Sequence, residues 1–431
     1  MKTKMTFSAT GDSFITRRLP IKNQSFEEIR SIIQMAEARF TNLEVTVHNW
    51  EGFPSAQSGG TWAIASPEVL QDLKEYGFNL INLANNHALD YSYGGLEATR
   101  KYLDQCGFVY AGAGKNLAEA GSPKYLDSPS GRVALIAVTS SFHESWIAGE
   151  QRMDVIGRPG INPLRVKTTY IVTPENFEKL QQIAESTEIN AYDNLIRKEG
   201  FLPELDKDIF MFGKYTFKKS NHNGVITEPE EKDMQRLMKA INQARYFADY
   251  VLVSIHSHQI KGENKEQPTD FLVNAAKKCI DAGAHAVIGH GPHVLRGIEI
   301  YKNCPIFYSL GNFIFQSETV ANLPADFYEK YGLGHEDNVA DALKKRSGNG
   351  TRGLAVDKEA LISVIPVWTM EEGKLIDIKL YPIELGYGLP SYKNGWPELS
   401  KDKKILEKLV DLSKPFNTEI KIDNNVGIIK G

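Results

Sequence analysis

The chain has 431 residues, 42% hydrophobic and 24% charged, with a formal net charge of −4. These are the proportions of a soluble globular protein with enough chain for one large domain or two ordinary ones. They give no global attraction to nucleic acid or an anionic membrane. Three distant cysteines, Cys106, Cys279 and Cys304, form neither a disulfide framework nor a zinc knuckle.

The start, MKTKMTFSATGD, enters a strand at once, so no signal peptide is expected. No run approaches the roughly 20 apolar residues of a membrane span, and the chain reads as cytoplasmic. Strand and helix patterns then alternate over the first 140 residues. MTFSATG reads as strand, SFEEIRSIIQMAEARF as an amphipathic helix and FTNLEV as strand. SPEVLQDLKEYG begins with a Ser cap and a Pro at the first helical position. NLINLA follows as strand, GGLEATRKYLDQCG as a helix closed by Gly107, then FVYAGAG and RVALIAVTS as strands. This βαβα rhythm predicts an α/β fold with a largely parallel sheet.

Residues 143–230 break the rhythm. A Gly-, Pro- and Arg-rich loop precedes TPENFEKLQQIAESTEINAYDNLIRKEG, which reads as one long polar helix. The stretch is expected to be a cap-like insertion. EPEEKDMQRLMKAINQARYFA, DYVLVSIH, PTDFLVNAAKKCIDAG, HAVIGH and PIFYSLGNFIF then restore alternating helix and strand. Residues 317–355 form a second insertion, irregular or helical. ALISVIPVWTMEEGKLIDIKLYPIEL reads as an antiparallel hairpin around Glu372-Gly373. Residues 1–390 are expected to form the main domain. A tail, 391–431, with one short helix, KKILEKLVDLS, packs on it. Of the basic clusters, Lys218-Lys219 and Lys344-Lys345-Arg346 read as solvated surface, whereas Arg17 sits just after the Asp12 turn.

Polar residues stand where buried strands run out. They are Asp12 in TGDSF, Glu44 in TNLEV, Asn86 and His87 in LANNHALD, His256 and His258 in VSIHSH, and His290 and His293 in IGHGPHV. Open α/β sheets place ligands at the carboxyl ends of their strands, so five segments deliver oxygen and nitrogen to one edge. Two carboxylates, an amide and several imidazoles fit zinc, manganese or iron better than calcium, whose sites use oxygen alone. One or two divalent transition-metal ions would then activate a water. Asp90 holds the Asn-Asn-His loop by hydrogen bonding. No GxGxxG followed by an acid, no GxxxxGK[ST] and no GxSxG is present.

The order GD, NLE, NNHALD, VSIH, GHGPHV and YSLGNFIF resembles the bacterial capsule-synthesis (CapA, PGA_cap, poly-γ-glutamate synthesis) family, within the calcineurin-like metallophosphoesterase superfamily. The likeness runs from Asp12 to about Phe315, more weakly into LVDLSKPFNTEI. It implies a four-layer α/β/β/α sandwich. It also implies that Asp12 and His293 bind a first metal, that Glu44 bridges, and that Asn86, His256 and His290 bind a second. His87 would protonate the leaving group, Arg17 would contact an anionic substrate, and Asn312 would brace the substrate side. The chain departs from the pattern at Phe14, where the superfamily has His, at Glu44, where it has Asp, and at Ser257-His258, where many relatives have Trp-Gly. His258 therefore stands as a compensating, substrate-facing residue. The implied activity is metal-dependent hydrolysis of an anionic polymer or peptide, γ-glutamyl amide bonds first. The alternatives are a phosphoesterase and a non-catalytic polyanion-binding assembly factor.

Overall fold

The apolar runs form strands that sort into two large sheets. The computed structural model describes residues 4–19 and 23–431. In the first, ten-stranded sheet the parallel half runs Lys4–Phe14, Ala38–Leu43, Leu80–Asn82, Val109–Ala111. Helices Gln24–Ile33, Val69–Tyr76 and Ser92–Gln105 make the crossovers. On the other side of Lys4–Phe14 the sheet turns antiparallel, through Ile362–Glu371, Lys374–Glu384, Val426–Lys430 and Lys421–Asp423. The short strand Asn312–Phe315 pairs parallel with the end of Lys4–Phe14. The second sheet has six strands, with Gly131–Thr139, Tyr250–His256, Ala286–His290 and Cys304–Phe307 parallel to one another.

The inner faces of these sheets share one apolar core. Phe7 and Trp368 of the first sheet stack at 5.2 Å, Phe7 meets Tyr250 of the second edge-on at 5.2 Å, and Phe307 reaches Trp368 at 5.3 Å. Helices Glu231–Ala244 and Asp270–Asp281 bury Leu237, Ile241, Phe271 and Ala275 in the same core. On the far face of the ten-stranded sheet, Phe26 and Ile29 of one helix and Leu70 and Leu73 of the next pack in a second core. Each helix therefore places an apolar stripe on a sheet whose strands are hydrophobic on both faces. Among the described residues no helix is long and apolar enough to cross a membrane.

Several boundaries differ from expectation. The first helix stops at Ile33, not Phe40, because Ala38–Leu43 is taken by the sheet. The Ser-Pro start precedes its helix as a turn, and the helix begins at Val69. The Thr-Pro helix is two helices, Pro174–Thr187 and Ala191–Lys198, separated at Glu188, whose φ is +53°. Thr173 caps the first, accepting from the Asn176 amide at 3.5 Å. Around them Val166–Val172, Ile209–Phe212, Tyr215–Lys219 and Gly224–Pro229 build a separate four-stranded sheet. Its strands are short, and their polar faces give no alternating apolar signal strong enough to read. The tail contributes more than the helix Lys404–Ser413, because its last hairpin joins the edge of the ten-stranded sheet. The Glu372-Gly373 turn is as expected, both residues having φ > 0 (52° and 76°), as a two-residue hairpin requires.

A buried histidine gives the fold a pH signature. His285 Nδ1 accepts the Val251 amide at 3.0 Å, and burial, with Arg245 nearby, lowers its pKa from 6.5 to about 4. The unfolded chain takes up a proton below pH 6.5 that the folded state resists down to about 4. Its contribution is therefore complete above pH 6.5 and lost as pH falls toward 4. Asn offers an amide oxygen to the same donor without titrating. In thermal melts, His285→Asn should flatten the decline of Tm across that window, and an unchanged slope would count against this account.

Candidate metal centre

The carboxyl ends of the two sheets meet at one point. Asp12 lies in register with Asn42 on one side and Asn312 on the other. His256 and His290 are in register as the last residues of adjacent parallel strands in the second sheet. Glu44 follows the strand Ala38–Leu43, and Asn86 and His87 follow Leu80–Asn82. The approach at Asp12 demands glycine beforehand: a Cβ on Gly11 would stand 1.8 Å from the Gly311 carbonyl oxygen. His293 adopts φ +61°, a left-handed conformation costly for a side chain with a Cβ and often retained at functional sites.

The side chains converge. Asp12 Oδ1 accepts from Asn42 Nδ2 at 2.7 Å and lies 3.5 Å from His290 Nδ1; its Oδ2 accepts from the Gly291 amide at 3.1 Å and lies 3.5 Å from His293 Nδ1. His256 Nδ1 is 2.9 Å from His290 Nδ1, and its Nε2 is 2.7 Å from Asn86 Oδ1 and 3.0 Å from His258 Nε2. Ligand atoms of Asp12, His256 and His290 fall within 4.8 Å of one another, as do those of Glu44, His256 and His258, and of Asp12, Glu44 and His293. All the expected ligands, Asp12, Glu44, Asn86, His256, His290 and His293, are thus in one cluster, and His258 stands beside it. Outer contacts orient them: Ser254 Oγ meets His290 Nε2 at 2.7 Å, and Asn312 Oδ1 meets His293 Nδ1 at 2.9 Å.

The electrostatics fit a cation. Glu44 is fully buried, and neither carboxylate oxygen has a hydrogen-bond donor among the described residues; the nearest imidazole nitrogens are 3.6 and 3.9 Å away. Burial, then the charges of Asp12 and Asp90, push its pKa well above the usual carboxylate range. Such an orphan is costly unless something positive joins it. Burial also opposes ionisation of Asp12, yet hydrogen bonding and charge from His293, with His290 and Asn42, outweigh it and hold its pKa low. Burial lowers His256 and His258 well below the ordinary range and His290 to about 4, with neighbouring imidazoles adding to the first two. Neutral imidazoles present lone pairs, the form that ligates a metal. The donor set of carboxylate, amide and imidazole suits a divalent transition metal.

His87 sits at the rim with Nδ1 2.7 Å from Asp90 Oδ2. Asp90 also accepts the amides of Gly59 at 3.0 Å and Ala63 at 2.8 Å, so it braces the loop facing the site. With Nδ1 engaged, Nε2 is the nitrogen left for chemistry. Two clefts open beside the cluster. One, of 260 Å³, is lined by Phe14, His87, His293, Phe315, Arg346 and Arg352. The other, of 330 Å³, is lined by Asn86, Ser141, His143, Trp146 and His258. Gly59 borders both, and a Cβ there would lie 2.5 Å from the Asn86 carbonyl oxygen.

Arg17 is not brought into either cleft. Its guanidinium donates to the Tyr392 carbonyl at 2.6 Å and lies over Trp396. The arginines lining the cleft beside His87 are Arg346 and Arg352, from the 317–355 segment. Sequence reasoning missed both, and the only signal was the Gly-rich SGNGTRG following a basic run. The 143–230 segment supplies only His143 and Trp146 to these clefts. Ser140 and Ser141 pair with the backbone and neighbours of His256 and His258, while His143 pairs with Ser145, so no serine–histidine nucleophile pair forms there.

Residues 6–317 match the family described as bacterial capsule synthesis protein PGA_cap. The uncharacterized protein y4sH of Sinorhizobium fredii is 34% identical over 99% of this chain and 93% of its own length. The PGA biosynthesis protein CapA of Bacillus subtilis is 26% identical over 80% of this chain and 75% of its own length. The capsule biosynthesis protein CapA of Bacillus anthracis is 27% identical over 58% and 43%, respectively.

Replacing Glu44 by Gln removes the buried, unpartnered charge. Metal-free E44Q should therefore melt above the metal-free parent at neutral pH, and the gap should close as pH falls from the raised pKa of Glu44 toward the ordinary carboxylate range. Adding manganese or zinc should stabilise the parent by about 2.7 kcal/mol at a hundredfold excess over Kd and should stabilise E44Q far less. Equal metal-induced shifts in both proteins would remove Glu44 from the ligand set.

Proposed function

The chain belongs to the bacterial capsule synthesis PGA_cap family, and we propose that it is a metal-dependent hydrolase of an anionic polymer or peptide, with γ-glutamyl amide bonds as its target. The observation that carries this reading is Glu44, a fully buried carboxylate with no hydrogen-bond donor among the described residues, 3.6 and 3.9 Å from the imidazoles of His256 and His258. Two sheets sharing a core, with helices on their outer faces, support reading the fold as a four-layer α/β/β/α sandwich of the metallophosphoesterase type. The 143–230 segment is its cap-like insertion. The relatives named for capsule and PGA biosynthesis direct the choice of substrate toward polyglutamate.

Asp12, Glu44, Asn86, His256, His290 and His293 would hold one or two ions of manganese, zinc or iron. A bound ion supplies Lewis acidity and a nucleophilic water at neutral pH. The protein's own part is to keep the imidazoles unprotonated, to fix their rings through Ser254 and Asn312, and to carry a proton. Asp90 holds His87 in the orientation that leaves Nε2 to protonate the departing nitrogen, a role worth typically 10²–10⁴-fold. The three overlapping ligand groups also suit a two-ion clamp on a phosphoryl centre, which makes a phosphoester the second substrate class to test.

Purified protein loaded with manganese or zinc should release glutamate or short γ-glutamyl oligomers from poly-γ-glutamate. The double variant His256→Ala, His290→Ala should lose at least about 100-fold of that activity along with its metal. Cleavage of chromogenic phosphoesters alone would move the assignment to phosphoester chemistry. Metal and polymer bound without either cleavage would make the chain a polyanion-binding factor.

A further inference from the structure

We infer that Arg352 anchors a carboxylate on the departing fragment of the substrate, which makes the 317–355 segment the reader of negative charge. The inference rests on the hydrolase reading and deepens it. It starts from the asymmetry of the two clefts. His87 lines the cleft that holds Arg346 and Arg352, whereas Asn86 and His258 line the other. The fragment that accepts a proton from His87 therefore lies on the arginine side.

The two arginines are not equivalent. Arg346 is committed: its guanidinium donates to Glu318 at 2.5 Å and to the Thr61 hydroxyl. Its charge is spent locally, and its work is to tie the 317–355 segment to the loop carrying Gly59 and Gly60. Arg352 is held by its stem. Its Nε donates to the Arg346 carbonyl at 3.0 Å, and its amide donates to the Ser347 carbonyl at 3.0 Å. Its two terminal nitrogens have no partner among the described residues. A guanidinium so placed offers a planar fork that matches a carboxylate. Arg352 is exposed at the cleft that Phe14, Phe315 and Leu354 also line, so its free nitrogens are open to an incoming ligand.

The chemistry of a γ-linked glutamate chain fits this polarity. Each amide nitrogen is borne by a carbon that also carries a free carboxylate, so the leaving amine brings a negative charge within a few bonds of the scissile link. In the reaction, a water oxygen bonds to the γ-carbonyl carbon and the carbon–nitrogen bond breaks. The nitrogen takes a proton from His87 Nε2, His87 regains one from the water, and the water's second proton passes from the new carboxylic acid to the amine. A carboxylate and an ammonium result, with no other reactant. Arg352 holds the α-carboxylate of the departing unit through this sequence, which aligns its nitrogen with His87.

The test compares the metal-loaded full chain with Arg352→Gln and Arg352→Lys, each first checked for unchanged melting temperature and metal content. The substrates are γ-glutamyl-glutamate, whose leaving group is charged, and γ-glutamyl-p-nitroanilide, whose leaving group is neutral. The parent should prefer the first, and in R352Q that preference should fall roughly 10- to 100-fold, mainly through KM, the loss of one charge-assisted pair. R352K should recover part of it, keeping the charge but not the fork. A preference unchanged in R352Q overturns the inference. A calorimetric titration with tri-γ-glutamate separates this outcome from failure of the hydrolase reading. Tight binding by the parent and weakened binding by R352Q, without turnover of either substrate, keeps the anchor and removes the hydrolase. Equal binding by both, or none by the parent, removes the anchor whatever turnover shows.

Discussion

Asp12 belongs to the ten-stranded sheet, yet its Oδ2 accepts an amide from Gly291, in the loop that leaves a strand of the six-stranded sheet. Its Oδ1 is held by Asn42 from the neighbouring strand. One carboxylate thus ties together the carboxyl ends of two sheets that also meet through His256 and Asn86 and through the apolar core beneath them. The core sets the separation of the sheets, and the close contact of Gly11 with Gly311 lets the strands come near enough for Asp12 to reach across. Every distance in the cluster follows from this crossing, since the histidines come from one sheet and the acids and the amide from the other.

The cluster is built against its own electrostatic interest. Three imidazoles are kept below their ordinary pKa, and a carboxylate is kept above its own, chiefly by burial. Left alone, these groups oppose folding, because each buries polar atoms without full compensation. The stability that tolerates them comes from the continuous core on which both sheets rest. Stability and readiness for a cation are therefore arranged in different layers of the protein, the first in Phe7, Tyr250, Phe307 and Trp368, the second at the strand ends above them.

Much of this was legible in the sequence because buried parallel strands write long apolar runs, and the polar residue that ends each run marks the edge where ligands gather. Asp12, Glu44, Asn86, His256, His290 and His293 stood out for that reason. The four-stranded sheet did not, since strands such as YTFKK carry too little apolar pattern. Arg17 pointed the right way in the chain but not in space, because its direction is set by Tyr392 and Trp396, almost 380 residues later. Arg346 and Arg352 were hidden by the opposite effect. A basic run is usually solvated surface, and only the fold brings Arg346 from that run and Arg352 from the loop after it to the cleft that His87 lines.

The portion that matches the family, 6–317, stops before the strand Ile362–Glu371. That later strand pairs with the first from Lys4↔Glu371 to Ser8↔Val367 and supplies Trp368, the stacking partner of Phe7. Still further on, the Gly395 carbonyl accepts the amide of Phe315 at 2.9 Å. The boundary of kinship and the boundary of the foldable unit are therefore different places. A fragment trimmed to the shared portion would keep the whole ligand set but leave the strand that bears Asp12 with one side unzipped, a bare edge inviting other chains to pair with it.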